Sequence, residues 1–262
     1  MPELIPGIFN YCDRWCERCN YADRCRLFQS ETERNIQHIL NDEDPNDPEI
    51  IAKDIAESLE DSLAMLKAQM EIEGITEEDL KNFEEQDDDD SKYFVDDFDD
   101  EKSEVTESGK IIKTQPPLVS QSDDFHKEVI SFFRKMKPDI PDDADESELE
   151  KDPLYNELKV LLWYSPQIAV KMRMCFGSQA KIENEKNKDG DELEFETEMM
   201  NINSRIAFTG MEKCIVSLQQ IYGQEIENHD EVLPLLVLIK KIKDEFEKEF
   251  PAVNNFKRPY FD

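Results

Sequence analysis

The most constraining feature of the sequence is a concentration of cysteine near its beginning. Four of the six cysteines lie in one stretch of fourteen residues, namely Cys12, Cys16, Cys19 and Cys25. Four thiolates gathered at one point repel one another, so a bound metal cation is the natural reason to bring them together. Cysteines also pack well as small core residues, and close cysteines can form a redox switch, so both alternatives stay open. We predict a metal site with these four residues as ligands.

The spacing of these cysteines suggests how they would meet. If Cys12 to Cys19 is helical, then Cys12, Cys16 and Cys19 share one face, and Cys25 returns from the following turn to complete a tetrahedron. A site of four thiolates and one zinc ion carries a net charge of about −2. Neighbouring side chains are expected to offset this charge and to shield it from solvent. We assign that role to Arg14, Arg18, Arg24, Arg26 and Trp15.

The identity of the metal is less constrained than the ligands. The pair Cys16-Glu-Arg-Cys19 has a spacing typical of zinc sites, and four cysteines suit either a closed zinc site or an iron–sulfur cluster. The stretch from Cys16 to Cys25 resembles the cysteine spacing of iron–sulfur RecB-type nucleases. The spacing from Cys12 to Cys19 resembles that of radical SAM enzymes. Both families require β-strands that this sequence does not predict, so neither is assigned. We expect Zn²⁺ or [4Fe-4S], with zinc slightly preferred as the commoner structural metal.

The charge of the chain bears on its partners. Its 63 acidic and 31 basic residues give a net charge of −32, which disfavours direct binding to nucleic acid or to anionic lipid. Residues 31–117 carry 29 acids and 8 bases, whereas residues 1–30 carry four of each. No run of eighteen apolar residues predicts a membrane span, and no signal peptide is recognisable. We therefore expect a cytoplasmic, reducing compartment and a partner that is another protein.

The pattern of apolar residues predicts an all-α protein, because they recur every three or four positions and strand alternation is absent. We divide the chain into a cysteine-rich metal-binding lobe (1–30), an amphipathic helix packing on the bundle (47–74), a disordered acidic insert or linker (84–122) and a helical bundle (123–262). The helix at 47–74 is predicted from an apolar stripe. Its members are Ile51, Ile55, Leu59, Leu63, Leu66 and Met70.

The bundle should contain about four to five core helices. One helix is predicted from Leu154 to Phe176, broken or kinked at Ser165-Pro166 and stopped by Gly177. A second runs from Glu194 to Tyr222, and Gly210 within it predicts a close contact with another helix. The last ends near Phe250. Cys175 and Cys214 lie on apolar stripes and are predicted to be core residues.

No known catalytic motif is present, so the leading hypothesis is a metal-binding helical protein that acts through protein interaction. A first alternative is an iron–sulfur or small-molecule-binding enzyme with a pocket between bundle helices. Its candidate residues are Lys171, Arg173, Asn203 and Arg205. A second alternative is an acidic mimic of nucleic acid, built on the dense carboxylates of residues 84–101. Asp123 and His126, spaced as Asp-x-x-His, are interpreted as part of a helix cap.

Overall fold

A computed structural model describes residues 3–75, 115–136, 149, 152–184, 190–224 and 229–262. In this part of the chain there are six α-helices and no β-strand, which confirms the all-α prediction. The helices are α1 (Arg26–Leu40), α2 (Pro48–Glu73), α3 (Pro117–Met136), α4 (Pro153–Asn184), α5 (Gly190–Tyr222) and α6 (His229–Glu249). Short 3-10 helices lie at Ile8–Asn10, Cys16–Arg18, Ala22–Arg24 and Pro251–Asn254.

The described residues divide into two compact units. The first contains residues 3–6 and 16–75, and the second contains residues 7–15 and the residues from 115 onwards. The predicted lobe at residues 1–30 is therefore shared between the two units. Cys12 belongs to the second unit, whereas Cys16, Cys19 and Cys25 belong to the first.

The second unit is a bundle of α3, α4, α5 and α6 around one apolar core. Helices α4 and α5 pack most closely, and Gly210 lies at their contact. A Cβ atom added at Gly210 would meet Cδ1 of Tyr164 at 3.2 Å and Cγ1 of Ile168 at 3.3 Å. The prediction of a close helix contact at Gly210 is thus confirmed.

Helix α4 is longer than the sequence predicted. It continues through Pro166 and Gly177 to Asn184, so the predicted stop at Gly177 and a break at Pro166 are both wrong, and the predicted alternative of a kink at Pro166 stays a prediction. A proline inside a helix costs about 3 kcal/mol or more. Residues on both sides of Pro166 are fully buried, including Leu161 and Met172, and the burial of this continuous face offsets the cost.

Contacts with α5 explain why α4 continues beyond Gly177. The hydroxyl of Ser178 donates to a carboxylate oxygen of Glu196 at 2.8 Å, and Nζ of Lys181 donates to the other oxygen at 3.0 Å. Glycine has only a modest cost inside a helix, about 1 kcal/mol relative to alanine. Two bonds to the neighbouring helix are enough to keep this turn helical.

Helix α3 begins at Pro117, six residues before the predicted start at Asp123. Proline suits the first position of a helix, and Val119 and Ser122 in the first turns are buried. The predicted linker (84–122) therefore overlaps α3 at its end, and its residues 84–114 lie outside the described residues. Asp123 is not a cap, since Nη2 of Arg173 donates to both of its carboxylate oxygens, at 2.6 and 2.7 Å.

The first unit contains α1 and α2. Helix α2 matches the prediction closely: Asp47 caps it by accepting the N–H of Glu49 at 2.8 Å, and Gly74 ends it with φ 73°. Helix α1 was not predicted. His38 joins the two helices, because its Nδ1 lies 2.7 Å from a carboxylate oxygen of Glu43 and its Nε2 lies 3.0 Å from one of Asp54.

The apolar stripe of α2 is open to solvent. The side chains from Ile51 to Leu66 on this stripe are between 44% and 60% exposed. The predicted packing of α2 on the bundle stays a prediction. Among the helices that the structure describes, none combines the length and the apolar character of a membrane span.

Candidate metal centre

The cysteine segment is a series of tight turns instead of a helix. Arg14 has φ 61°, a left-handed backbone conformation that a right-handed helix cannot contain. The 3-10 helix at Cys16–Arg18 comes directly after it, and a second one spans Ala22–Arg24. The predicted single helical face for Cys12, Cys16 and Cys19 is therefore wrong.

Asp13 fixes the position of the segment that contains Cys12. Its main-chain oxygen accepts the indole N–H of Trp163 at 3.2 Å and the side-chain amide of Gln167 at 2.9 Å. Its carboxylate accepts the hydroxyl of Tyr164. Burial and this hydrogen bond both raise the pKa of Tyr164, so the phenol stays protonated as a donor. Cys12 therefore directly precedes a residue that three donors of α4 hold in place.

Trp15 completes this docking with apolar contact. Its ring stacks on Trp163 at a centroid distance of 5.3 Å and meets Tyr164 edge-on at 5.7 Å. Trp15 is buried in the core of the bundle. Trp15 therefore packs in the bundle, and its predicted role as a shield for the cysteines stays a prediction. Aromatic pairs of this geometry add about 0.5–1.5 kcal/mol to stability beyond the contribution of their buried area.

Lys171 on α4 is a cation in the electrostatic surroundings of Cys12. Burial lowers the pKa of Lys171, the charge of Arg14 lowers it further, and the charges of Cys175 and Cys12 oppose this shift. Its Nζ donates to Oδ1 of Asn203 at 3.0 Å. The sequence predicts a pocket role for Lys171 and no link with Cys12. No sequence signal links them, because their electrostatic coupling depends on how residues 7–15 dock on α4.

The other three cysteines lie in the first unit. The N–H of Cys19 donates to the main-chain oxygen of Cys16 at 3.1 Å, closing the turn. Sγ of Cys19 accepts the N–H of Tyr21 at 3.4 Å. The tight turn therefore fixes the backbone on both sides of Cys19.

Cys25 occupies a different environment. It is the residue that precedes α1, with φ −99° and ψ 119°, and only 8% of it is exposed. Cys25 is therefore the most enclosed of the four predicted ligands.

The arginines predicted to surround the metal site lie in different structural elements. Nε of Arg24 donates to the main-chain oxygen of Glu3 at 2.9 Å, and the N–H of Ile5 donates to that of Arg24 at 3.0 Å. Arg24 thus ties residues 3–5 to the turn before Cys25. Arg18 ends the 3-10 helix that begins at Cys16, and Arg26 opens α1.

The described residues contain no group of three or more histidine, cysteine, aspartate or glutamate side chains placed to hold a metal ion. The four-cysteine site therefore stays a prediction. The remaining two cysteines are core residues as predicted, since Cys175 and Cys214 are fully buried and burial raises the pKa of both thiols.

The residues predicted to form a pocket have different partners. Lys171 and Asn203 meet, whereas Arg173 pairs with Asp123 on α3. Arg205 donates to Asp262 at 3.1 Å. Of the four, the structure therefore brings together only Lys171 and Asn203.

Asp262 is a partner of Arg205 that the sequence does not predict. Its carboxylate also accepts two bonds from the guanidinium of Arg258, each at 3.0 Å, and Arg258 is 5% exposed. Burial raises the pKa of Asp262, but the hydrogen bonds from Arg258 and Arg205 outweigh it and hold that pKa well below its usual range. These bonds fasten residues 258–262 to α5.

Comparison with known proteins does not add a relative. The chain matches no family model, no curated protein and no solved structure.

Proposed function

We propose that the protein binds a metal through Cys12, Cys16, Cys19 and Cys25 and acts through interaction with another protein in a reducing compartment. The observation that carries the proposal is the presence of four of six cysteines within fourteen residues. Packing alone does not account for it, because Cys12, Cys16 and Cys19 are each partly exposed, whereas the two core cysteines are fully buried.

The backbone around the cysteines supports the proposal. Tight turns place Cys16, Cys19 and Cys25 within ten residues of one another, and Cys16 and Cys19 are partly exposed, so a metal ion can reach them. Metal binding in small cysteine sites is coupled to folding. The ligands are therefore not required to be gathered before the metal binds.

The proposed metal has a structural role. Four cysteine ligands fill a tetrahedral coordination shell and leave no open position for a substrate, as in closed zinc sites. Zn²⁺ is preferred over [4Fe-4S], which four cysteines also accommodate. The metal would hold the turns of residues 16–25 in one conformation, which a segment with few buried apolar residues needs.

The decisive experiment is metal analysis of the protein purified without oxygen. We expect about one zinc ion or one cluster per chain, and a cluster would add an absorption band near about 400 nm. The double variant Cys16→Ser/Cys19→Ser should bind no metal. The matched control is Cys175→Ser/Cys214→Ser, which removes two thiols from the core and should keep the metal. Less than about half an equivalent of metal in folded wild-type protein would end the proposal.

A second candidate is a ligand or substrate site at Lys171. One observation favours it: Lys171 is partly buried, its pKa is lowered by burial and by Arg14, and such groups are enriched at functional sites. Trace acetylation across a pH series tests it. Lys171 should be modified at lower pH than Lys127, whose side chain is 68% exposed. If the two lysines respond to pH alike, this candidate is lost.

A further inference from the structure

Helix α2 presents a long apolar face to solvent. Ile51, Ile55, Leu59, Leu63 and Leu66 are spaced by four, four, four and three residues, so they share one side of the helix. Their exposed fractions are 44%, 57%, 60%, 56% and 56%. With a rise of about 1.5 Å per residue, the stripe from Ile51 to Met70 is about 28 Å long.

An exposed face of this length is typical of an interaction site. Scattered exposed apolar residues are normal, but contiguous patches mark surfaces that bind a partner. The α2 stripe is contiguous, because each member lies one turn from the next. Its length matches about five turns of a second helix packed along it.

The charge of α2 indicates what kind of helix would bind. Residues 48–73 contain seven acidic residues and two lysines. At about 100° per residue, Glu49 and Glu60 border one edge of the stripe, and Asp54 and Asp61 border the other. Glu49, Glu60 and Asp61 are exposed, while Asp54 also contacts His38. Lys53 and Lys67 also lie on the edge of Glu49 and Glu60, where Glu71 keeps the net charge negative, and the edge of Asp54 and Asp61 carries acids only.

We propose that the α2 stripe binds a basic amphipathic helix of another protein, with leucine-like residues on the stripe and lysine or arginine over its acidic edges. Opposite charges flanking an apolar seam determine partner choice between helices. A second copy of α2 would place acid against acid, and an anionic lipid surface would be repelled in the same way. This proposal specifies the chemistry of the protein partner in the proposed function. It rests on that function only because both require a protein partner, and it does not require the metal.

The test uses the full chain and three synthetic peptides of 22 residues. The first carries a leucine stripe flanked by lysines, the second carries the same stripe flanked by glutamates, and the third has the lysine peptide's composition in scrambled order. Binding is measured by fluorescence anisotropy at low and high salt. We expect the first peptide to bind at least about tenfold more tightly than the others, with affinity falling as salt rises.

Variants of α2 assign the binding to the stripe. Leu59→Glu/Leu63→Glu should weaken binding of the lysine peptide at least about tenfold. The matched control is Ala64→Glu/Ala68→Glu, which adds the same two charges to exposed positions on the opposite face and should keep full affinity. Glu60→Lys/Asp61→Lys should reduce both the affinity and its salt dependence. Circular dichroism checks that each variant is folded.

Other outcomes would overturn the inference. Equal affinity for lysine and glutamate peptides would refute the basic partner. A dimer in sedimentation analysis that Leu59→Glu/Leu63→Glu dissociates would identify a second copy as the occupant. Binding to phosphatidylcholine vesicles through the stripe, without peptide binding, would identify a membrane surface. Metal content is measured on the same samples. If Cys16→Ser/Cys19→Ser loses metal and still binds the lysine peptide, the two proposals are separated.

Discussion

The hydroxyl of Tyr164 on α4 donates a hydrogen bond to the carboxylate of Asp13, which lies 151 positions earlier in the chain. Asp13 follows Cys12 in the chain and lies two residues before Trp15, whose ring stacks on Trp163. Tyr164 also contacts the bundle core, since its Cδ1 lies 3.2 Å from where a Cβ of Gly210 would be. One tyrosine thus connects the segment of the first predicted ligand with the α4–α5 contact.

The first prediction concerns this bond. Tyr164→Phe removes the donor and leaves the Asp13 carboxylate with fewer partners in a partly buried site. We expect the free energy of unfolding to fall by about 1–3 kcal/mol, the usual range for a hydrogen bond to a charged group. Urea denaturation measures it. The control Tyr155→Phe removes the same atom from another turn of α4, and an equal loss in both variants would show that Asp13 is not involved.

The second prediction compares two glycines within helices. Gly177→Ala should raise the free energy of unfolding by up to about 1 kcal/mol, because alanine favours the helix and a Cβ at this position meets nothing within 4 Å. Gly210→Ala gains the same helix propensity, but its Cβ would press on Tyr164 and Ile168. Overpacking costs about 1–3 kcal/mol, so we expect no gain or a net loss. Thermal unfolding of the two variants, measured side by side, shows whether their stabilities differ in this way. A stabilised Gly210→Ala variant would contradict the close contact of α4 and α5 at Gly210.

Helices with a regular apolar stripe could be located from the sequence. Burial of one side leaves apolar residues every three or four positions, which identified α5 and α6, and the stripe of α2 is equally regular although it is exposed. Helix α1 leaves no such signal, because the buried residue on it is His38. Pro166 and Gly177 misled the prediction for α4, since local preferences for ending a helix are weaker than the packing that continues it.

The candidate site was predictable only in its residue types. The cysteine spacing is visible in the sequence, but the left-handed backbone at Arg14 is set by how Asp13 and Trp15 dock on α4. Contacts between residues 150 positions apart carry no periodic signal. Lys171 beside Cys12 was therefore beyond what sequence patterns could show.

The third prediction concerns the pH dependence of the α1–α2 connection. The hydrogen bond to Glu43 raises the pKa of His38, Asp54 raises it further, and burial opposes both. A raised pKa means that His38 stabilises the fold fully below its unfolded pKa of about 6.5. This stabilisation is lost as the pH rises through the higher pKa of the folded state.

An NMR titration checks this directly. The ring protons of His38 should titrate above pH 6.5, whereas those of His126 should titrate below it, because burial lowers the pKa of His126 more than Asp123 raises it. His38→Gln should lower the free energy of unfolding at pH 5.5 more than at pH 9. A His38 midpoint at or below that of His126 would show that the two carboxylates do not hold a charged imidazolium.

The fourth prediction concerns thiol reactivity. Cys175 and Cys214 are fully buried, and burial raises the pKa of both thiols, so neither supplies thiolate to an alkylating reagent at pH 8. Metal-free native protein should take up iodoacetamide at the other four cysteines, with Cys25 the slowest because it is 8% exposed. Mass spectrometry counts the adducts. In guanidinium chloride all six should react, and rapid native labelling of Cys214 would contradict its burial in the core.

The last prediction separates the part of the chain that the metal orders from the part that folds without it. Residues 7–15 are held by donors of α4 on Asp13 and by stacking of Trp15, none of which needs a metal. Residues 16–25 are joined by hydrogen bonds to one another, to residues 3–5 and to Gln29 of α1, and three of the four predicted ligands lie among them. Removal of the metal should therefore raise amide hydrogen exchange at residues 16–25 and leave residues 7–15 and the bundle helices protected. Cys16→Ser/Cys19→Ser should reproduce this pattern, with little loss of helical circular dichroism. Exchange that rises equally in α4 and α5 would mean that the metal supports the whole fold, and unchanged exchange at residues 16–25 would mean that the turns are stable without it.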